Sequence, residues 1–285
     1  MFKRVIKTLL FSICAIAAGV AAQFAGLAAG SLITELGLSE VLGTLASAVI
    51  YPLLTFLGIK LIAGKGFKYD ISDFRINKPG LKLYWLGAAV ILPLTVTAAF
   101  QFANGHWIMC DSSQIAPLTA NGILFTGLAA GISEEVVFRG AVMGAIEKEF
   151  NSVSAVLIPS VAFAAVHIAG RSLNSLSTIL LLAAGTLVGI MFSLIEIQSR
   201  SFWNNALVHA AWNTIILGIL HTDAAPSEGS VFTYVLDSGS VLLTGGDFGI
   251  ESSLVAVIAY SVVIIMAIAL MSKRKIPSRL AHSTY

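Results

Sequence analysis

Charged residues are scarce in this chain of 285 residues. Asp, Glu, Lys and Arg together make up 11% of it, whereas an average soluble domain carries about 25%. Cysteine is also scarce: there are two residues, and they form neither a disulfide framework nor a zinc-type spacing. The 57% of hydrophobic residues fall largely into runs of about 20, the length that crosses a bilayer. The composition therefore excludes a soluble globular domain.

Eight apolar runs predict the fold class, an all-α polytopic membrane bundle with about eight transmembrane helices. No separate soluble domain can be divided from them, so residues 1–285 are expected to form a single integral membrane domain. The predicted spans are 8–31, 41–63, 84–103, 118–143, 152–170, 175–197, 201–221 and 252–271.

Lys and Arg are distributed unevenly between these spans. If the N-terminus is cytoplasmic, all but two of the 17 Lys and Arg residues fall on the cytoplasmic side, including a basic cluster at 273–279. The exceptions are Arg171 in an external loop and Arg139 within a span. The positive-inside rule therefore predicts that both termini are cytoplasmic.

The sequence also predicts the surroundings of two connecting segments and of one glutamate. Segment 64–82 is basic and contains aromatic residues, so we expect a juxtamembrane loop attracted to anionic lipid head groups, with docking of a partner as the alternative. Loop 222–250 is rich in Gly, Ser and Asp, and is expected to contain a short hairpin or a re-entrant piece. Glu196 lies near the cytoplasmic end of its span and is expected to be exposed.

The fourth span contains an unusual group of ionisable side chains in the stretch GISEEVVFRGAVMG. An ionised group at the bilayer centre costs at least about 2.5–3.5 kcal/mol, so these residues need partners or a function. Glu135 and Arg139 are spaced i,i+4 and can pair along one helix face. Glu134 points about 100° away from Glu135, so Arg139 does not obviously serve both carboxylates.

Two further spans carry polar side chains at membrane depth. Phe163 and His167 are spaced i,i+4 on the fifth span, and His209 and Asn213 have the same spacing on the seventh. If these faces converge with that of Glu134, the bundle contains a polar cluster. Counted from the span ends, Glu134 and His209 lie toward the cytoplasmic half and His167 toward the outer half, so convergence requires tilted or unequal helices.

A carboxylate with two imidazoles, and no nucleophile triad in register, is suited to activating a water molecule. Hydrogen-bond donors on His209 and Asn213 could stabilise an oxyanion in a dry site. Alternatively, Glu134, His167 and His209 could be three ligands of a zinc ion with an open fourth position. Either arrangement would hydrolyse an amide or an ester.

Three motifs carry a family resemblance: EEVVFR at 134–139, FAAVH at 163–167 and HAAWN at 209–213. In this order, on separate hydrophobic helices, they resemble the CPBP (Abi) family of CAAX proteases and bacteriocin-processing proteins, over a core of about 118–221. The resemblance implies an intramembrane endopeptidase in which Glu134 is the water-activating base. It implies that His167 helps to hold that water or a metal ion, and that His209 and Asn213 form the oxyanion site.

The resemblance also implies supporting roles and partners. Glu135 and Arg139 would be the supporting pair, with Phe163 beside His167 in its motif. Zn²⁺ held by Glu134, His167 and His209 is one cofactor expectation, and a metal-free glutamate mechanism is the other. The expected partners are the lipid bilayer and a membrane protein or peptide substrate, with no nucleic acid, and the expected location is a bacterial plasma membrane.

Two functions of other classes remain open at this point. One is a non-catalytic membrane scaffold or bacteriocin-immunity protein that keeps the polar cluster for binding. The other is a proton-coupled transporter that uses the intramembrane Glu and His as proton sites. A scaffold should tolerate Glu134→Asp, and a transporter should give a flux that depends on a pH gradient.

Overall fold

Helices account for most of the described chain. The computed structural model describes residues 2–71, 74–76 and 80–274, so the end of the predicted basic cluster, from Lys275 to Arg279, lies outside the described residues. We number the main helices α1 (Phe2–Glu35), α2 (Glu40–Leu61, extended by a π-helical segment Ile62–Phe67), α3 (Leu83–Phe100), α4 (Ser112–Glu149), α5 (Ser152–Val166), α6 (Ser175–Ser199), α7 (Phe202–Trp212, extended by a π-helical segment Asn213–Ile219) and α8 (Leu254–Arg274).

Each predicted span coincides with one of these helices, and the prediction of a polytopic helical membrane bundle is confirmed. Among the described residues, six helices are long and apolar enough to cross a membrane: α1, α2, α3, α4, α6 and α8. The other two predicted spans, α5 and α7, are not among these six, for separate reasons. Helix α5 has 15 residues, a length of about 22 Å, and α7 carries Asn204, Asn205 and His209 in its first three turns.

The starts of α5 and α6 are set by asparagine caps. The Oδ1 atom of Asn151 accepts a hydrogen bond from the Ser154 N–H at 2.9 Å, and that of Asn174 accepts one from the Ser177 N–H at 2.8 Å. Such caps satisfy backbone donors that have no partner within the helix. Helix α5 begins immediately after α4 and ends at Val166, so that His167 is the residue that directly follows it.

Two apolar clusters meet at the centre of the bundle. One includes Phe192 on α6 and Trp212 on α7, and is completed by side chains from α3, α8 and the strands. The other includes Phe138 on α4 and Phe163 on α5, and is completed by α1 and the end of α2. The ionisable residues of α4 and α7 lie at the boundary between the two clusters.

A small mixed sheet lies at the end of the bundle where α3 ends and α4 begins. Its strands are β1 (Gly105–Met109), β2 (Leu220–Asp223) and β3 (Phe232–Leu236), with β3 between the other two, antiparallel to β1 and parallel to β2. Loop 222–250 therefore contains a strand of a three-stranded sheet, and the expected hairpin or re-entrant piece is not found. The chain continues through a helical turn Val241–Thr244 and 3₁₀ turns Gly246–Phe248 and Ile250–Ser252.

The described part of segment 64–82 packs against the protein, which the sequence did not predict. Phe74 is 6% exposed, and its ring stacks on Phe11 of α1 at 5.1 Å. Arg75 donates to the Glu147 carboxylate at 2.6 and 2.9 Å and also to Glu196. Glu196 is 1% exposed, so the expectation that it is exposed was wrong. Arg75 covers this carboxylate and allows it to be buried.

Removal of Arg75 should lower stability because it leaves Glu196 buried and unpaired. Burial lowers the pKa of Arg75, but the charges and hydrogen bonds of Glu196 and Glu147 outweigh burial and raise it. Breaking a fully buried ion pair costs about 3–5 kcal/mol, and Arg75 is partly exposed, so we expect Arg75→Ala to cost less than this. Thermal unfolding of the detergent-solubilised protein measures the effect, with Lys65→Ala, an exposed cation of the same region, as the control. Equal stability of both variants would contradict the assigned role.

Candidate active site

Glu135 is the hydrogen-bonding centre of the polar cluster. Its side chain is completely buried and accepts three hydrogen bonds. Arg139 Nη1 donates at 2.9 Å from the same helix, and Asn205 Nδ2 and His209 Nδ1 donate from α7, the latter at 2.9 Å. Charge-assisted hydrogen bonds of this number offset the cost of burying a carboxylate. The i,i+4 pair predicted between Glu135 and Arg139 is present.

Arg139 connects α4 to α6 and to the aromatic surroundings. It is completely buried, and its Nη2 donates to the Gly189 carbonyl of α6 at 2.9 Å. The guanidinium carbon lies 4.8 Å from the Phe163 ring centroid and 5.2 Å from that of Phe192. Because a guanidinium is attracted to aromatic faces, these rings help to hold the charge where water is excluded.

Glu134 points away from this network, as its helical position predicts. Its Oε2 lies 3.8 Å from His209 Nε2, which is too long for a direct hydrogen bond. The same oxygen is buried and has no hydrogen-bond partner among the described residues. A buried polar atom without a partner normally marks a place for water or a ligand.

His167 follows α5 directly and is held by the backbone of its own helix. Its Nδ1 lies 2.7 Å from the Phe163 carbonyl oxygen. A carbonyl can only accept, so Nδ1 carries the proton and donates, and in the neutral ring Nε2 has a free lone pair. The Phe163 and His167 rings are 4.6 Å apart, so Phe163 fixes the imidazole through both its carbonyl and its ring.

His209 and Asn213 lie one turn apart on α7 and face the same space. The His209 ring is stacked on Phe192, with centroids 4.7 Å apart. Asn213 is 7% exposed and donates from Nδ2 to the Thr126 carbonyl of α4 at 3.0 Å. Thr126 lies in a π-helical segment of α4, Asn121–Ala129. Such segments occur mostly as short interruptions that frequently mark functional sites.

All four residues of the predicted catalytic set line one cavity of about 260 Å³. They are Glu134, His167, His209 and Asn213, and the lining also includes Arg171 and Glu251. Helices α4, α5 and α7 therefore converge as the site requires. A second, smaller cavity of about 90 Å³ lies on the other side of Glu134 and His167, against Gly19 of α1 and Tyr51 of α2.

Asn205 is the site residue that sequence reasoning left without a role. It is completely buried, and its amide donates to Glu135. The signal was present in the sequence, because Asn205, His209 and Asn213 are spaced at successive intervals of four and share one helix face. The motif on this helix starts at His209, so Asn205 falls outside it.

Close packing of α4 on α7 depends on Gly131, three residues before Glu134. A Cβ atom at this position would lie 2.8 Å from the Ala210 backbone nitrogen and 2.9 Å from its Cα. Backbone atoms cannot move aside without shifting α7, which carries His209. Small residues at such positions let membrane helices approach closely.

Gly131→Val should therefore separate Glu134 from His209 and reduce peptide cleavage at least tenfold, since a displacement of about 1 Å can cost a hundredfold. Gly87→Val is the matched control, because a Cβ atom at Gly87 on α3 meets no atom within 4 Å. Cleavage rates of the two purified variants provide the measurement. Equal rates would show that this helix contact does not set the site geometry.

The residues predicted as zinc ligands have suitable chemistry but are not assembled into a metal centre. Glu134, His167 and His209 offer one carboxylate and two imidazoles, a donor set found in catalytic zinc sites. Glu135 accepts a hydrogen bond from Nδ1 of His209, as carboxylates commonly do from the ring nitrogen of a metal-bound histidine that does not touch the metal. In the described ranges, however, no group of three His, Cys, Asp or Glu side chains is placed to hold a metal ion. Zinc binding stays a prediction.

Membrane-length helices and a buried carboxylate–imidazole cluster define this chain as an integral membrane protein with a candidate hydrolytic site. Residues 114–215 match the family model described as Type II CAAX prenyl endopeptidase Rce1-like. This confirms the resemblance of that segment, somewhat more than a third of the chain, to the CPBP (Abi) family. At the level of the family, the match supports an intramembrane endopeptidase with a membrane protein substrate. Comparison with curated proteins gave no match.

Proposed function

We propose that this chain is an intramembrane endopeptidase that hydrolyses a peptide bond of a membrane-associated protein or peptide with a water molecule activated by Glu134. The observation that carries the proposal is the buried, unpartnered Oε2 of Glu134, which faces His209 and shares a cavity with His167. The match of residues 114–215 to the family model supports a protease, and the arrangement of these side chains supports the choice of water as nucleophile.

Glu134 would act first as the general base. It accepts a proton from a water molecule that also donates its second hydrogen to the free Nε2 lone pair of His167. The resulting hydroxide attacks the carbonyl carbon of the substrate. Glu134 then returns the proton to the amide nitrogen as the C–N bond breaks, so that the proton balance closes within one residue.

His209 and Asn213 would stabilise the oxyanion that forms on the substrate carbonyl. Asn213 uses one amide N–H for Thr126 and keeps the second for the oxyanion. His209 donates Nδ1–H to Glu135, so donation from Nε2 requires the imidazolium form, whose charge Glu134 and Glu135 balance. Such donors in a dry site typically contribute about 10²- to 10³-fold in rate each.

Glu135, Arg139 and Asn205 would act as positioning residues. They touch His209, the neighbouring helix and one another, and none of the three lines the cavity of about 260 Å³. Their effect on the reaction would pass through the orientation of the His209 ring. A fixed ring matters because a donor placed before the reaction starts needs no reorganisation during it.

Zinc, if it binds, would be held by Glu134, His167 and His209 and would supply Lewis-acid activation of water. We predict that metal analysis of the purified protein distinguishes the two mechanisms. A zinc mechanism expects about one Zn²⁺ per chain, lost in His167→Ala, and cleavage abolished by chelation and restored by added zinc. A metal-free mechanism expects substoichiometric zinc and cleavage that chelators leave unchanged.

The proposal is tested by the peptides released in membranes that contain the protein. Membranes with wild-type protein, Glu134→Gln or the control Glu149→Gln, a carboxylate at the far end of the same helix, are incubated in parallel, and new peptide termini are identified by mass spectrometry. Termini that appear with wild type and Glu149→Gln but not with Glu134→Gln support the proposal and identify the substrate. Identical profiles from all three folded proteins would favour the scaffold alternative. The bacterial plasma membrane location and a bacteriocin-related role remain predictions that the identified substrate would decide.

A further inference from the structure

Gln23 is a polar side chain in the middle of an apolar helix. The sequence of α1 between Cys14 and Ser31 contains no other polar or charged side chain. An amide at membrane depth is costly unless it is hydrogen-bonded, and such residues normally bind a neighbouring helix or belong to a functional site. Helix α1 lies outside residues 114–215, which match the family model. Neither that match nor the three motifs accounts for Gln23.

The carboxamide of Gln23 has no hydrogen-bond partner in the described part of the chain. The residue is partly buried and lines the cavity that contains Glu134, yet it takes part in none of the side-chain hydrogen bonds there. The other amide, hydroxyl and indole side chains that line this cavity are hydrogen-bonded to the protein: Thr126, Trp212, Asn213 and Tyr260. Gln23 therefore does not serve to join two helices, and its donors and acceptor are available to a ligand.

Close packing of α1 on α4 brings Gln23 to the cavity. One turn before Gln23, Gly19 approaches α4 so closely that a Cβ atom there would lie 2.8 Å from Val137 Cγ2. Glu134 precedes Val137 by three residues, which is also about one helical turn. Gln23 and Glu134 are thus each about one turn from the same helix contact, and both line the cavity of about 260 Å³.

The backbone of a bound peptide is the ligand that this carboxamide fits. A peptide that reaches Glu134 in an extended conformation brings N–H and C=O groups that no helix of its own satisfies. In an apolar site each of them is costly unless the protein supplies a partner. A carboxamide has two N–H donors and one carbonyl acceptor, so it can donate to a backbone carbonyl and accept from a backbone N–H. His209 and Asn213 would already serve the scissile carbonyl, which leaves a neighbouring peptide group for Gln23.

We propose that Gln23 is a substrate-binding residue that pairs its carboxamide with a backbone peptide group next to the scissile bond. This inference rests on the proposed peptidase function and deepens it. The group recognised is a secondary amide in an extended apolar chain, so recognition does not depend on the side chains of the substrate. Gln23 would contact no reacting atom, and its loss should weaken the binding of substrate and transition state equally. Gln23→Met should therefore raise KM and leave kcat nearly unchanged.

Peptide binding tests this role without requiring cleavage. The full chain carrying Glu134→Gln, which removes the proposed base, is titrated with a fluorescein-labelled apolar hexapeptide, and binding is followed by anisotropy. Analogues of the same peptide each replace a different backbone amide with an ester, which removes one N–H donor. We expect at least one ester analogue to bind about three- to tenfold more weakly than the all-amide peptide, the effect of a single neutral hydrogen bond.

Substitution of Gln23 decides whether its carboxamide is the partner of that N–H. In Gln23→Met, which keeps the side-chain length without the amide, the all-amide peptide should bind about three- to tenfold more weakly, and the sensitive ester should bind equally well. Gln23→Leu, a second apolar substitution, should give the same result. Gln114→Met, at an exposed glutamine near the start of α4, should keep both the affinity and the ester sensitivity.

Two results would overturn the inference. One is an ester sensitivity that persists in folded Gln23→Met and Gln23→Leu, as judged by thermal unfolding in detergent. The other is a set of peptides that bind all variants equally or bind none of them. Because cleavage is not measured, failure of the peptidase proposal would be seen separately, in the membrane-peptide experiment.

Discussion

Glu134→Gln is expected to reduce peptide cleavage by about 10²- to 10⁴-fold, the usual contribution of a general base, and to leave the fold intact. Glutamine has nearly the same shape as glutamate but cannot accept the proton from water. The fold should survive because Glu134 makes no hydrogen bond that supports the bundle, and its Oε2 has no partner among the described residues. The measurement is kcat/KM of the purified protein on a peptide identified from the membrane experiment.

Two companion variants make this result specific. Glu149→Gln changes a carboxylate of the same helix outside the site and should keep wild-type kcat/KM. Glu134→Asp keeps the charge but withdraws the carboxylate by one methylene group, so a peptidase should lose most of its activity. A scaffold or immunity protein would tolerate Glu134→Asp. If Glu134→Gln retained cleavage within a factor of two, Glu134 would not be the base.

Arg139→Met is expected to cause the largest loss of stability, about 3–5 kcal/mol of the free energy of unfolding, as for other broken buried ion pairs. Arg139 and Glu135 are both completely buried, so removal of the cation leaves a carboxylate in an apolar environment. The bond from Nη2 to the Gly189 carbonyl is lost as well. Unfolding of the detergent-solubilised protein, followed by tryptophan fluorescence, measures the change.

A second substitution separates loss of the pair from loss of packing. In Glu135→Gln/Arg139→Met no charge of the pair remains, and the double variant should be more stable than Arg139→Met alone. Arg4→Met, at an exposed position near the N-terminus, should match wild type. Peptide cleavage should fall in both variants. In Arg139→Met the Glu135 carboxylate that bonds His209 loses the cation that holds it, and in the double variant His209 loses the carboxylate itself. Wild-type stability of Arg139→Met would contradict the view that this pair holds the bundle together.

The expectations that failed are those that depend on a partner far away in the sequence. Glu196 was expected to be exposed because it lies near a helix end, yet Arg75 reaches it from a connecting segment and compensates its burial. A sequence window around Glu196 does not contain Arg75, since the two are 121 positions apart. Strand β3 of loop 222–250 likewise pairs with β1, more than 100 residues earlier in the chain, as well as with β2.

The depth of His167 in the bundle could not be predicted by counting residues along its span. Three separate spans had to bring Glu134, His167 and His209 together, and span counting placed His167 on the outer side of the other two. In the structure, His167 follows the 15 residues of α5 and lines the same cavity as Glu134. The Asn151 cap fixes where α5 begins, but the position of His167 relative to Glu134 depends on how the helices pack.

The sequence by itself determined that this is a membrane protein, that it contains eight apolar helical segments, and how its motif residues are spaced. These properties depend on neighbouring residues: apolar run lengths specify membrane spans, and i,i+4 spacing specifies that Glu135 faces Arg139. Only the tertiary structure decided that Glu135, beyond its predicted pair with Arg139, is fully enclosed by donors from α7, while Glu134 keeps a free oxygen at the cavity. That choice depends on Asn205 and His209, 70 and 74 positions from Glu135, because hydrogen-bond partners on another helix exist only after the helices pack.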